Sequence, residues 1–278
     1  MRKSFAKNEG PMLIGVVRER TARDAIAAIK NCTVHGATGI DLHLSCLNED
    51  VKNVAALKSI IDQCELPMLA LNYNQTYEYE SFETDEESRI ALLMKYVEAG
   101  GSAVDLQGYT YDLDSKYHLR EDAKKYDYSF LKAEDPHEIV VDPAVIAKQM
   151  ALIDEIHEKG AEVLLSCHPL VPMTTEQVVD LALFLEKRNP DVIKIITRAD
   201  NEEQLGEALK TMLVLKKEVK TKIHFHAAGK AGKLSRVLNP ILGAYLIFCN
   251  DGYTASSNFE QPELSVVKNV IENMKKLR

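Results

Sequence analysis

The stretch "DVIKIITRADNEEQL", residues 191–205, contains the signals of a buried strand followed by a helix. The apolar run at 192–196 predicts a buried strand, and Asp200 and Asn201 predict the stop before a helix beginning near Glu202. Lys194 stands in the middle of that run. A charged residue at such a position is either directed to solvent on an outer face or retained for chemistry.

The same alternation of strand and helix patterns runs through the whole chain of 278 residues. Strands are predicted at 12–17, 38–44, 67–72, 102–107, 162–167, 192–197, 222–227 and 244–249. Helices are predicted near 21–35, 50–64, 84–99, 143–159, 174–188, 202–219 and 262–276, with a shorter one near 234–241. About eight βα units predict an α/β protein with a single (β/α)8 TIM-barrel domain. A doubly wound sheet is the alternative, but "VVRERTAR" after the first strand has no glycine-rich phosphate fingerprint.

The amino-acid composition indicates which kinds of molecule the protein is expected to bind. The net charge of −8 makes general affinity for nucleic acid or an anionic membrane unfavourable, so a small molecule is the expected partner. No apolar run approaches the roughly 20 residues of a membrane span, and the N-terminus lacks a signal-peptide pattern, so we expect a cytoplasmic protein. The five cysteines show no paired framework, which predicts free buried thiols.

A long insertion interrupts the pattern at 108–142, between the fourth strand and its helix. It is rich in tyrosine and charged residues, and loops of this length are usually functional or disordered. In a barrel it would rise over the C-terminal face, where active sites are built. We expect a flexible lid, with a merely solvated excursion as the alternative.

Lys194 and His168 are the candidate catalytic residues. If alternate strand residues point into the barrel, Lys194 does so, and burial favours the neutral amine that attacks a carbonyl group. The alternative is a lysine whose ammonium reaches water from an outer face. His168 ends the fifth strand in "EVLLSCHPL", where it can act as acid and base near neutral pH.

Two further patterns suggest ligand binding. Arg236, which follows a glycine-containing segment, suits a bidentate grip on a carboxylate or phosphate, although a surface salt bridge is an equally common use. His224 and His226 in "KIHFHAAG" share one face of a strand. Together with Asp41, His43 and His168 they are the residue types of a His/carboxylate metal site, and the alternative is a His226 that packs in the barrel mouth and hydrogen-bonds a carboxylate.

Four motifs together resemble type I 3-dehydroquinate dehydratase, a Schiff-base enzyme of the shikimate pathway. They are "LLSCH" at 164–168, "VIKII" at 192–196, "AGKAGKLSR" at 228–236 and "SSNFEQ" at 256–261. The similarity runs along nearly the whole chain in the same strand order. It implies a TIM-barrel lyase that dehydrates 3-dehydroquinate by syn elimination without metal or organic cofactor, and a homodimer is common in the family.

The resemblance also implies individual roles. Lys194 matches the lysine that forms an imine with the ketone, and His168 matches the histidine that removes the neighbouring proton and protonates the leaving hydroxyl. Arg236 and Gln261 match residues that hold the substrate carboxylate together with a serine. That serine is Ser257 when counted back from Gln261, or Ser256 by the local Ala-Ser match.

The departures from the family concentrate on the side that contacts substrate hydroxyls. A Glu-x-Arg pair is replaced by Asp41 and His43 in "GIDLHLS", and an arginine position falls on Tyr73. These residues and His226 are expected to shape the rest of the pocket. A nearby family glutamate has no clear counterpart, Tyr77 and Glu78 being nearest.

Because a site that pairs substrate hydroxyls discriminates through them, a related lyase or aldolase acting on another keto acid is a rival interpretation. A metal-dependent barrel enzyme and an inactive barrel that senses a carboxylated metabolite are further alternatives. Retention of both Lys194 and His168 argues against the sensor, since binding alone requires neither.

Overall fold

The computed structural model describes residues 2–73, 85–255 and 257–277. Those residues contain eight β-strands, which lie in one parallel sheet in the order β7-β6-β5-β4-β3-β2-β1-β8. The strands are β1 (Met12–Val17), β2 (Gly39–His43), β3 (Met68–Leu71), β4 (Ala103–Gln107), β5 (Glu162–Cys167), β6 (Val192–Arg198), β7 (Lys222–Ala228) and β8 (Leu246–Cys249). Every predicted strand is confirmed to within two residues at each end.

Eight α-helices alternate with the strands in the described residues. They are α1 (Ala22–Val34), α2 (Val54–Ile61), α3 (Glu86–Glu98), α4 (Pro143–Glu158), α5 (Thr175–Glu186), α6 (Glu202–Glu218), α7 (Gly229–Leu242) and α8 (Leu264–Lys275). The predicted α/β class with a (β/α)8 TIM-barrel fold is therefore confirmed, and the doubly wound sheet is wrong. No helix in the described residues is long and apolar enough to cross a bilayer.

The chain forms two compact units whose segments alternate along the sequence. The first unit comprises Met1–Asp105, Ile156–Glu162 and Ile247–Arg278, and the second comprises Leu106–Glu155 and Val163–Leu246. In the first unit, β1 pairs with β2, β2 with β3 and β3 with β4, all in parallel. In the second unit, β5, β6 and β7 pair in parallel.

The βα unit from β6 to α6 has the predicted form. The side chain of Asn201 caps α6 by accepting a hydrogen bond from the backbone N–H of Gln204 (2.9 Å). All residues of β6 except the last are buried, as expected for a strand covered on both faces. All five cysteines lie in the described residues and are free thiols, and four of them are buried, as predicted.

Helix α7 differs from its prediction, since it begins at Gly229 rather than near residue 234. Gly229 has a φ of +90°, and a Cβ there would lie 2.8 Å from Asp200 Oδ1. A Cβ on Gly232 would lie 2.7 Å from the Ala227 carbonyl oxygen. Glycine thus allows the helix to start directly against the end of β7, although the glycine-rich sequence is more typical of a loop.

The 108–142 insertion belongs to the second unit and contains three short 3₁₀ helices, at Leu113–Lys116, Glu121–Lys125 and Ser129–Lys132. Phe130 is fully buried, and its ring lies 5.2 Å from that of Phe184 on α5. The insertion therefore has its own buried anchor and is not a merely solvated excursion. The flexible lid and the single domain stay predictions.

Candidate active site

Lys194 lies in the middle of β6 and is 5% exposed. It pairs in register with Ser166 on one neighbouring strand and with His224 on the other. The positive charge of Lys194 lowers the pKa of His224, so the ammonium group lies near that imidazole. The outer-face interpretation is therefore wrong, because the lysine is buried among the polar residues of the second unit.

His168 follows β5 directly and is held by a carboxylate that the sequence did not indicate. Glu138 Oε2 accepts hydrogen bonds from the backbone N–H of His168 (2.9 Å) and from its Nδ1 (2.7 Å). A carboxylate at Nδ1 places the proton of the neutral imidazole on that nitrogen, so Nε2 carries the lone pair. The Nε2 of a neutral His168 can therefore accept a proton.

The backbone around this pair is held in a conformation that non-glycine residues rarely adopt. Glu138 has a φ of 59° and Leu170 has a φ of 56°, on either side of the His168 contact. Strained residues of this kind tend to cluster at functional sites because the surrounding structure must hold them. Glu138 lies at the end of the insertion, 30 residues before His168, and no local sequence pattern links the two.

His224 and His226 form a hydrogen-bonded pair on one face of β7. His224 Nδ1 lies 2.7 Å from the carbonyl oxygen of Leu246, and His226 Nδ1 lies 2.9 Å from His224 Nε2. Burial, followed by the charge of Lys194, lowers the pKa of His224 to about 3. Burial and the charge of Arg236 hold the pKa of His226 well below its usual range. Both imidazoles are therefore neutral near pH 7.

These hydrogen bonds argue against the alternative of a metal site. Both nitrogens of His224 take part in hydrogen bonds, so His224 has no lone pair left for a metal ion. In the part of the chain that the structure describes, no three His, Cys, Asp or Glu side chains are grouped to hold a metal ion.

Arg236 lies on α7 and is 8% exposed, so it is buried and does not lie on the helix surface. Its guanidinium lowers the pKa of both His224 and His226 through its positive charge. The preceding Ser235 ties the helix to β7, since its Oγ accepts from the Ala227 N–H (2.8 Å) and donates to the Gly232 carbonyl (2.6 Å). The second unit thus brings Lys194, His224, His226 and Arg236 together.

Asp41 and His43 lie two residues apart on β2 in the first unit, and both are buried. Asp41 Oδ2 lies 3.4 Å from His43 Nε2. Asp41 Oδ1 is buried and has no hydrogen-bond partner among the described residues. Tyr73, two residues beyond the end of β3, is half-buried. The structure therefore pairs Asp41 and His43, the two residues that the resemblance matches to a Glu-x-Arg pair.

Gln261 lies in the loop between β8 and α8, also in the first unit. Its Oε1 accepts a hydrogen bond from Arg18 Nη2 (3.2 Å), a residue that the sequence analysis did not single out. Ser257 Oγ accepts from the Thr254 N–H (2.9 Å) within the same loop. Ser256 lies outside the described residues, as do Tyr77 and Glu78, so the choice between the two serines stays open.

Comparisons with known proteins agree with this fold. The family model for type I 3-dehydroquinase matches residues 15–278. A 3-dehydroquinate dehydratase of Coxiella burnetii (strain RSA 493 / Nine Mile phase I) is 35% identical over 96 residues, which cover 34% of this chain and 40% of that protein. The chain thus aligns with less than half the length of this curated relative.

Solved structures show the same fold at low sequence identity. A type I 3-dehydroquinate dehydratase from Clostridium difficile, crystallised with covalently modified comenic acid, has a TM-score of 0.74 and 15% identity over 98% of this chain and 95% of that one. The 3-dehydroquinate dehydratase of Geobacillus kaustophilus HTA426 has a TM-score of 0.71 and 12% identity over 96% and 92%. On the match of the family model to nearly its whole length, the chain belongs to the type I 3-dehydroquinase family.

Proposed function

We propose that this protein is a carbon-oxygen lyase that dehydrates 3-dehydroquinate to 3-dehydroshikimate, a step of the shikimate pathway, through a Schiff base on Lys194. The observation that carries the proposal is the buried Lys194 in the same compact unit as a histidine oriented by a carboxylate. Family membership supports the substrate and the reaction. Neither a metal nor an organic cofactor takes part in the proposed chemistry.

The first half of the reaction forms the imine. The neutral Nζ of Lys194 attacks the C3 ketone of the substrate, and the resulting carbinolamine takes up one proton and loses water to leave a protonated imine. The burial of Lys194 supports this step, because a buried site excludes competing water. The positive imine nitrogen then acts as an electron sink.

The second half eliminates the hydroxyl group at C1. His168 Nε2 removes a proton from C2, and the electron pair moves to the imine nitrogen to give an enamine. The enamine re-forms the imine as the C1–O bond breaks, and the imidazolium of His168 protonates the departing hydroxide to water. Hydrolysis of the imine then releases the enone and the free lysine, so that one water is lost overall.

Glu138 acts as a positioning residue in this scheme. Its hydrogen bond to Nδ1 keeps Nε2 of His168 available as the base, and its negative charge stabilises the imidazolium formed midway. The contact is made by the 108–142 insertion, which therefore contributes to the chemistry whether or not it moves as a lid.

Arg236 is proposed to bind the substrate carboxylate. A buried guanidinium is suited to this role because its planar donors match a carboxylate in a bidentate contact. The carboxylate role of Gln261, with Ser257 or Ser256, and the pocket-shaping roles of Asp41, His43 and Tyr73 rest on the resemblance alone.

A related keto acid is the second candidate substrate. The observation that favours it is the buried Asp41–His43 pair, where the family carries a Glu-x-Arg pair. A carboxylate with a neutral or protonated imidazole offers a different set of donors from a guanidinium, so the hydroxyl pattern that is accepted can differ while carbonyl activation is retained.

A turnover assay separates these candidates. Purified protein is mixed with 3-dehydroquinate, and formation of the conjugated enone is followed by its ultraviolet absorbance. We expect the protein to form the enone. Borohydride should inactivate the protein irreversibly, but only when substrate is present during the treatment. Absence of turnover with 3-dehydroquinate, together with borohydride inactivation by another 3-keto acid, would keep the lysine chemistry and change the substrate.

We further propose a cytoplasmic homodimer. Membership in a biosynthetic enzyme family supports the location, and the frequency of dimers in the resembling family supports the assembly. Light scattering coupled to size-exclusion chromatography tests the assembly directly, and a monomer across the working concentration range would contradict it.

A further inference from the structure

The hydrogen-bond direction in the His224–His226 pair follows from its anchor on Leu246. A backbone carbonyl only accepts, so His224 Nδ1 must donate to the Leu246 oxygen, which lies 2.7 Å away. The Nε2 of a neutral His224 then carries a lone pair. His226 Nδ1, 2.9 Å away, must donate to it.

These two hydrogen bonds determine whether Nε2 of His226 carries a proton. With the proton on Nδ1, the Nε2 of a neutral His226 is an acceptor and cannot donate. His226 is 1% exposed, and its Nε2 is buried without a hydrogen-bond partner in the described part of the chain. A buried acceptor without a partner is costly, and such groups in native proteins call for an explanation such as a bound ligand.

The position of His226 on β7 indicates where that ligand lies. Lys194 is level with His224 in the register of the two strands, whereas His226 is level with Ile196, two residues closer to the carboxyl ends. Active sites of TIM barrels lie at the carboxyl ends of the strands. The positive charges of Arg236 and Lys194 both lower the pKa of His226, so both cations lie near it. The buried Nε2 still requires a hydrogen-bond donor.

We infer that His226 Nε2 accepts a hydrogen bond from a hydroxyl group of the substrate and thereby selects hydroxylated keto acids over their deoxy analogues. The inference rests on the proposed function, whose substrate carries hydroxyl groups besides the one that leaves. His224 acts as a positioning residue, because it sets the tautomer of His226 without touching the substrate.

The inference is tested first by nitrogen-15 NMR of the histidine side chains in the whole protein without ligand. Both His224 and His226 are expected as neutral imidazoles protonated at Nδ1 between pH 6 and 8. A His226 that carries its proton on Nε2, or that is an imidazolium in this range, would overturn the inference. This measurement does not depend on which substrate the enzyme turns over.

The second test compares kcat/KM for 3-dehydroquinate with that for its 4-deoxy and 5-deoxy analogues. In the wild type, at least one analogue is expected to be poorer by about tenfold to a hundredfold, because it leaves His226 Nε2 unsatisfied. His226→Leu should reduce that preference to within a few-fold. Ile196→Val, a packing change at the paired position, should leave the preference unchanged. Equal preference in the wild type and His226→Leu would overturn the inference.

A further variant and borohydride trapping separate the possible failures. His226→Gln can present an amide oxygen, so it should keep most of the preference and decides the test if His226→Leu does not fold. The wild type, His226→Leu and His226→Gln should all form the Lys194 adduct with 3-dehydroquinate. If His226→Leu forms the adduct but loses the preference for 3-dehydroquinate over its deoxy analogues, the inference is supported. If the wild type forms no adduct, the proposed function is contradicted, and the NMR result alone tests the inference about His226.

Discussion

Two polar regions of the molecule, one in each compact unit, differ in how closely they follow the family pattern. In the second unit, Lys194 and His168 match the expected catalytic residues, and Glu138 orients the histidine. In the first unit, Asp41 and His43 form a buried pair at positions where the resemblance implies a glutamate and an arginine. Under the proposed function, the region in the second unit performs the carbonyl chemistry, whereas the residues that the resemblance implies for hydroxyl recognition have changed.

The largest expected effect is that of Lys194→Ala, because no other group can replace the amine that forms the imine. Turnover of the keto acid substrate should fall to the detection limit, and no covalent adduct should be trapped. Lys210→Ala, which removes an exposed lysine, is the matched control and should behave as the wild type. Full turnover in Lys194→Ala would refute the imine mechanism.

His168→Ala should lower kcat by about 10²–10⁴-fold, the usual contribution of a positioned acid or base. Imine formation precedes the proton transfer, so the adduct should still be trapped by borohydride. Mass spectrometry of the reduced protein and a parallel turnover assay measure the two effects separately. A normal rate of elimination in this variant would show that His168 is not the acid and base of the reaction.

Glu138→Gln should lower kcat by about tenfold to a hundredfold, the value of a hydrogen bond to a charged group. The KM and the yield of trapped imine should change little, since the carboxylate acts through His168. Glu138→Asp is expected to recover part of the loss. Glu134→Gln changes an exposed glutamate of the same insertion and serves as the control. A loss confined to KM or to thermal stability would mean that Glu138 is only structural.

Asp41→Asn tests the polar region of the first unit. It removes the charge of the pair while keeping its shape, so KM should rise by up to about tenfold through a weaker polar contact, and kcat should change less. The Lys194 adduct should form as in the wild type. If Asp41→Asn instead blocked imine formation, the division between chemistry and recognition would be wrong.

The smallest expected effect concerns pH and stability. The pKa of His224 is about 3 in the folded protein and about 6.5 when unfolded, so between these values the unfolded chain binds a proton that the folded chain does not. Stability is therefore lost as the pH falls below about 6.5. His224→Gln should flatten this loss by at most about 1.4 kcal/mol per pH unit, measured by denaturant unfolding at several pH values. An unchanged slope would show that His224 is not held neutral by the fold.

Most of the fold could be predicted from the sequence because each strand is a short apolar run bounded by helix signals. The unit from β6 to α6 is an example, since Asn201 ends one pattern and caps the next. The start of α7 could not be predicted, because glycine at 229 and 232 is typical of a loop but here permits close approach to Asp200 and Ala227.

The candidate site was only partly predictable for a different reason. Lys194 stands out because a charged residue at a buried strand position is unusual, and His168 stands out because it directly follows a buried strand. Glu138 and Arg18 act through tertiary contacts with residues distant in the sequence, and no spacing rule connects them to His168 or Gln261. The acceptor role of His226 depends on a backbone carbonyl of another strand, which only the structure shows.

The most direct test of the central claim is mass mapping of the covalent intermediate. The wild-type protein is incubated with 3-dehydroquinate, reduced with borohydride, digested, and sequenced by tandem mass spectrometry. The account predicts a single modified lysine, Lys194, in a preparation that also forms the enone before reduction. Enone formation with no modification of Lys194, or with the adduct on another lysine, would contradict it.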